Sequence, residues 1–198
     1  ALLDGAQANA TGDITLSAWV KLKSGNIGSI FHKDVQYALS FQNDRKVTWA
    51  DSSIWNFSAF GFNDIGLQIG AWQHIAAVKK DGVVTLYLDG IQKTSRAVGS
   101  ALSGTASIAH IGCYASATSC VQRFLNGSLD DIRIYNRALT AEQVTALANG
   151  EEPVAPTPTP APVPTPSPPP TPPPTPPPNP TPPPEPHPYQ TRLPHPLD

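Results

Sequence analysis

Proline is absent from the first 152 residues of this chain and then supplies 24 of the last 46. A prolyl ring fixes φ at about −65° and removes a backbone donor, so such a segment builds neither helix nor sheet ladder. All 14 glycines lie at or before Gly150. The chain therefore divides into one globular domain over 1–150, long enough for its own core, and a proline-rich stalk over 151–198. Runs such as Thr171–Pro178 and Thr181–Pro184 predict a polyproline II rod. Without glycine it is a stiff spacer, reaching about 140 Å at ~3.1 Å per residue. Thr157, Thr165, Ser167, Thr171, Thr175 and Thr181 are its O-glycosylation candidates. Proline density drops at Pro188–Leu193, where a strand could pair.

Net charge is −2, with Lys and Arg scattered along the chain, which argues against nucleic acid or an anionic membrane as partner. No apolar run is long enough to span a bilayer. Ala1 follows no charged and apolar leader, so any signal peptide has been removed or lies outside this sequence. Cys113 and Cys120 enclose the polar segment Tyr-Ala-Ser-Ala-Thr-Ser; they read as a local disulfide of a secreted protein, with two reduced thiols as the alternative. Asn9, Asn56 and Asn126 fit the N-glycosylation pattern, although Asn126-Gly127 also reads as a tight turn. Location is expected to be extracellular, secreted or cell-surface.

Hydrophobic alternation governs the first 150 residues. Ile14, Leu16, Ala18, Val20 and Leu22 alternate with Thr15, Ser17, Trp19, Lys21 and Lys23, a half-buried strand. Ile27–His32 and Val35–Phe41 predict a hairpin, and Arg45–Trp49 with Ile54–Phe60 continues the meander. Trp72–Lys79 and Val83–Asp89 pair across Asp81-Gly82; Asp89-Gly90 makes the next turn, into Ile91–Thr94. Ser107–Ile111 is a short strand before the cysteines. Leu129, Ile132 and Ile134 predict the buried face of a last strand. Thr140 to Gln143 reads as a capping box opening one short helix, which stops at Gly150. The fold class is all-β, an antiparallel β-sandwich with that single C-terminal helix.

Phe124–Leu139 resembles the ending of laminin-G-like, concanavalin A-type jelly-roll domains, commonly F-x-G-x-[IL]-D-[DE]-[VI]-R-[IV]-Y-x-R-A-L. Gly12–Val20, Trp72–Val78 and Gly82–Gly90 extend the resemblance, in order, over roughly 1–149. It implies a jelly roll but leaves function open among lectins, accessory modules, adhesins and spacers. One departure is at the start. Ala1–Gly12 resembles only the second half of the family's opening hairpin; the missing strand would leave an unpaired edge open to a strand from another chain, or else the missing segment was clipped or lies outside this sequence.

Catalysis lacks its chemistry. Glycosidases need two carboxylates flanking the scissile bond, yet 1–150 contains one glutamate, Glu142. Asp130 and Asp131, adjacent on a strand, are expected to face opposite ways. His32, His74 and His110 read as dispersed, with His74 a packed residue. No cofactor is required. A structural Ca²⁺ is the one candidate, implied by the resemblance at Asp130, with Asp4 as an ill-matched second ligand; the alternative, slightly favoured, is that Asp130 caps a turn or pairs with Arg133 or Arg137. Sugar binding rests on the aromatic run from Trp49 to Phe62, where Trp49, Asp51, Trp55, Asn56 and Phe60 are the candidate glycan contacts. The alternative is that Trp49 and Trp55 fill the core, as Trp19 and Trp72 are expected to.

Three functions follow in order. The first is a non-catalytic structural or adhesive subunit that self-associates into a fibre or coat through its tail and incomplete hairpin. The second is a carbohydrate-binding, lectin-like module with a glycan partner. The third is a hydrolase, which lacks its carboxylate pair.

Overall fold

A computed structural model describes residues 2–3, 9–10, 12–25, 27–34, 36–42, 45–51, 61–99, 102, 107–116 and 119–154. The stalk beyond Val154, its O-glycosylation candidates, Asp4, Trp55, Asn56 and Phe60 lie outside these residues. The chain divides into two units, Ala1–Pro156 and Thr157–Asp198, and the account below concerns the first.

Two antiparallel sheets form a sandwich. One runs in the order β1 (Leu2–Leu3), β10 (Ala109–Ile111), β3 (Gly28–Lys33), β4 (Tyr37–Phe41), β5 (Lys46–Asp51) and β6 (Gly61–Asp64). The other runs β13 (Gly127–Tyr135), β2 (Ile14–Leu22), β7 (Gln73–Lys80), β8 (Val83–Leu88) and β9 (Ile91–Ala97). A separate hairpin, β11 (Tyr114–Ser116) with β12 (Ser119–Gln122), carries the cysteines.

The two-residue period of a strand explains the core. On β2, Ile14, Leu16, Ala18, Val20 and Leu22 point inward and meet Phe31, Leu39, Phe41 and Trp49 of the facing sheet. The opposite face of β2 was expected to be solvated, but Thr15 and Ser17 are also buried. Ser17 meets the His74 ring, while for Thr15 the reason is the chain that leads into helix α1 (Ala141–Ala148). Its Val144 and Leu147, with Leu139, pack on Ala76, Val78 and Tyr87 outside the five-stranded sheet. The Leu139 N–H donates to Thr15 Oγ1 at 3.0 Å, and that hydroxyl donates to the Arg137 carbonyl at 2.9 Å.

The helix boundaries follow local chemistry. Thr140 and Gln143 form the reciprocal capping box. At the other end Gly150 has φ +78°, and Glu151 N–H and Gly150 N–H reach the Ala146 and Leu147 carbonyls, a Schellman closure. Asp81-Gly82 (φ +46°, +77°) and Asp89-Gly90 (φ +51°, +76°) both turn with two positive φ values, matching the twist of the strands they join. A Cβ on Gly90 would stand 3.1 Å from Thr145 Cα, so the helix sits directly against that turn.

Three segments complete the comparison with the sequence expectations. Ile54–Phe60 lies outside the described residues, and the strand paired with β5 is Gly61–Asp64. The segment between the cysteines forms a hairpin, with the Cys113–Cys120 disulfide joining its arms. Leu2–Leu3 pairs with β10 as the edge strand of its sheet. None of the helices among the described residues is long and apolar enough to cross a membrane.

Candidate functional site

The last strand cannot obey strict alternation, because Leu129 and Ile132 lie three apart and both pack on the core. A β-bulge resolves the conflict. Asp130 is opposite Trp19 and Arg133 opposite Ser17, so Asp131 and Ile132 together face only Ala18. Asp131 takes up the extra length at φ +43°. Its N–H donates to Asp130 Oδ1 at 2.8 Å.

The bulge corrects the expectation that the two aspartates face apart. Asp130 and Asp131 line one cleft of about 350 Å³ together with Trp19 and Trp72. Trp72, expected in the core, is 44 % exposed, and Trp19 is half-buried. A second cleft of about 520 Å³ shares Trp72 and adds Lys21, Lys23, Ile69 and Ser128. Both clefts occupy the end of the outer sheet face that the helix cluster does not include.

Under Trp19 the floor is rigid and neutral. The His74 ring meets Trp19 edge-on, centroids 5.7 Å apart, and its Nε2 is 2.7 Å from Ser17 Oγ. The Asp89 carboxylate accepts from the His74 backbone N–H at 2.8 Å. Burial, helped by the Arg133 charge, lowers the His74 pKa to about 4 against the opposing pull of Asp89 and Asp131. His74 is thus packed and neutral near pH 7, as expected of it.

Arg133 fixes the rim. Its Nε donates to Asp131 Oδ1 at 2.7 Å, and one terminal nitrogen donates to Glu152 Oε1 at 2.7 Å. These bonds raise its pKa, Asp131 first, so the guanidinium stays charged. Asp131 is therefore held in place while Asp130 remains exposed.

The other sugar-contact candidates fall differently. Trp49 is fully buried between the sheets. Its Nε1 donates to Asp51 Oδ2 at 2.9 Å, and that same oxygen takes a hydrogen bond from Lys79 Nζ at 2.8 Å. Both charged side chains are 0 % exposed. Trp49 and Asp51 are thus a core aromatic and half of a buried ion pair. Trp55, Asn56 and Phe60 lie outside the described residues. His32 and His110 stand opposite each other on β3 and β10, so the histidines are less dispersed than the sequence suggested. Tyr114 lies over His32 at 4.2 Å, and burial, then His110 and Arg123, lowers the His32 pKa to about 4.

Of the two calcium candidates, Asp130 is exposed at the bulge and Asp4 lies outside the described residues. Among the described residues no three His, Cys, Asp or Glu side chains gather as a metal site. Asp131 is already paired with Arg133. Of the sequons, Asn9 and Asn126 are exposed, and Asn56 lies outside the described residues. Asn126 also acts as a turn residue, with its carbonyl accepting from Lys23 N–H at 2.9 Å.

The fold and site define an antiparallel jelly-roll sandwich with an aromatic and carboxylate cleft on an outer sheet face. A laminin-G-type family model described as the concanavalin A-like lectin/glucanases superfamily matches residues 2–145, and the chain belongs to that superfamily. Among solved structures, it resembles a heptameric SAP-like pentraxin from Limulus polyphemus (19 % identity, TM-score 0.52, covering 70 % of this chain and 72 % of that one). It also resembles domain 4 of a GH43 extracellular arabinanase from Geobacillus stearothermophilus in complex with arabinotriose (23 %, 0.51, 70 % and 68 %). A third is a candidate carbohydrate binding protein from Bacteroides ovatus (13 %, 0.54, 69 %), of which the match spans only 43 %. At these identities the likeness concerns the fold.

Sequence reasoning missed Trp19 and Trp72 as the surface aromatics. The available signal was the broken alternation Leu129-Asp-Asp-Ile132, which marks the bulge opposite Trp19.

Proposed function

We propose that this protein is a non-catalytic carbohydrate-binding module whose ligand seat is the cleft of Trp72, Trp19, Asp130 and Asp131. The observation that carries this reading is the exposed Trp72 ring beside paired carboxylate acceptors. A pyranose presents an apolar face for an indole and hydroxyl donors around its edge, which is the chemistry of these four side chains. The superfamily includes lectins, and one similar domain is known with a bound arabinotriose. The module is expected to work outside the cell, in keeping with its disulfide.

Hydrolysis is not part of the proposal. Asp130 and Asp131 are chain neighbours lining one cleft, and Asp131 is tied to Arg133, unlike two carboxylates flanking a bond. The fibre-subunit reading depends on the opening segment and the proline stalk, mostly outside the described residues, and stays an expectation from sequence. A glycan array with wild type and Trp72→Ala tests the module. Retained folding with lost glycan signal supports it. Identical profiles, or no glycan bound by the wild type, overturn it.

A further inference from the structure

Trp72 stands between two clefts of opposite chemistry. On one side are Asp130 and Asp131, which only accept hydrogen bonds; on the other are Lys21 and Lys23, which only donate. The ion pairs among the described residues engage Arg45, Lys79 and Arg133, and neither Lys21 nor Lys23 joins one. The lysine cleft is also lined by Trp72, by Ile69, which is 52 % exposed, and by Ser128.

We infer that the sugar chain taken by this surface is anionic, carrying a carboxylate or sulfate that sits in the lysine cleft while a neighbouring ring lies against Trp72 and offers hydroxyls to Asp130. This rests on the carbohydrate reading and specifies its ligand. Register supports it. Asp130 is opposite Trp19 and Ser128 opposite Lys21, so the acidic and basic rows are two residues apart along β2. That separation is about 6.8 Å, on the scale of one sugar unit. Asp131 is offset by Arg133, and the Asp130 carboxylate, which joins no ion pair among the described residues, disfavours an anion in its own cleft, so the charge pattern favours one direction as well as a class.

Three probes decide it by isothermal titration calorimetry at low and moderate salt: tetragalacturonate, a heparin-derived tetrasaccharide and neutral cellotetraose. Each is titrated into wild type, Lys21→Gln/Lys23→Gln and Trp72→Ala. At least one anionic probe should bind tighter than the neutral one; tight tetragalacturonate shows that a carboxylate suffices, and tight binding of the heparin tetrasaccharide alone, which carries both groups, shows that sulfate is required. The double lysine variant should lose about threefold to tenfold on that probe, with a shallower salt dependence. Trp72→Ala should weaken it about tenfold as well. Neutral binding equal to or tighter than anionic overturns the inference and leaves the module standing. So does anionic binding unaltered by the lysine variant, or binding that ignores Trp72 and follows charge alone. Failure of all three probes overturns the inference, and the glycan array then decides the module by itself.

Discussion

Trp49 with Asp51 and Trp72 with Asp130 are two tryptophan–aspartate pairings in one sandwich, and their fates are opposite. Trp49 projects from a central strand into the space between sheets, where its indole N–H and the Lys79 ammonium converge on one carboxylate oxygen. Trp72 precedes its strand, at the end of the outer face beyond the helix, and stands in solvent. Residue type is the same; position relative to the two sheets differs. A local aromatic cluster thus advertises a binding surface only when the face it occupies is also known.

The largest effect is expected at the buried pair. Asp51→Ala leaves the Lys79 ammonium inside the sandwich without its carboxylate, at a cost of about 3–5 kcal/mol in urea denaturation. Asp51→Leu with Lys79→Met should recover most of that loss, since an apolar pair removes both buried charges. A mild Asp51→Ala would mean the pair is hydrated, and would dissolve the contrast with the outer site.

Acid comes next, and it probes the floor beneath the exposed aromatic. His74 and His32 have folded pKa values of about 4, below the unfolded value of 6.5. Between those limits the unfolded chain binds protons that the native state does not. Their contribution is therefore complete above about pH 6.5 and is lost as pH falls toward 4. The slope is on the order of 1.4 kcal/mol per pH unit for each histidine. Urea midpoints at pH 7.5 and 5.0 measure it, and His74→Gln should remove one histidine's share. Equal slopes in the two proteins would show that His74 takes up its proton in the folded state.

Trp72→Ala should reduce glycan affinity about tenfold while shifting stability by no more than about 0.5 kcal/mol. Calorimetric titration and thermal unfolding on the same preparation separate the two. A large stability loss would place Trp72 with Trp49 as a packing residue. The smallest effect belongs to the covered end of the outer face. Thr140→Ala breaks the capping box of α1 and should cost about 1 kcal/mol. Glycan titration of this variant should match wild type, because the helix cluster and the clefts share no residue.

Much of the fold was legible in the residues. The period-two run of β2, the Asp81-Gly82 and Asp89-Gly90 turns and the Thr140–Gln143 cap each carry their conformation in local chemistry. The cysteine spacing likewise suited the observed disulfide. The site was much less legible. Asp130 was singled out as a calcium candidate and not as a wall of the tryptophan cleft, and its neighbour was expected on the opposite face. That error has a physical source: alternation assumes one residue per rung, and a bulge inserts a second.

Backbone preference acts over a few residues, so the sequence alone determined most of the strands, the glycine turns and the helix ends. Tertiary structure alone decided which tryptophan is exposed, that Lys79 meets Asp51 across the core, and that Asp130 and Asp131 line the same cleft as Trp19 and Trp72. Those outcomes depend on strand register and on which sheet face the helix covers. Both are fixed by burying the largest apolar area with every buried charge paired, a condition that no single segment satisfies on its own.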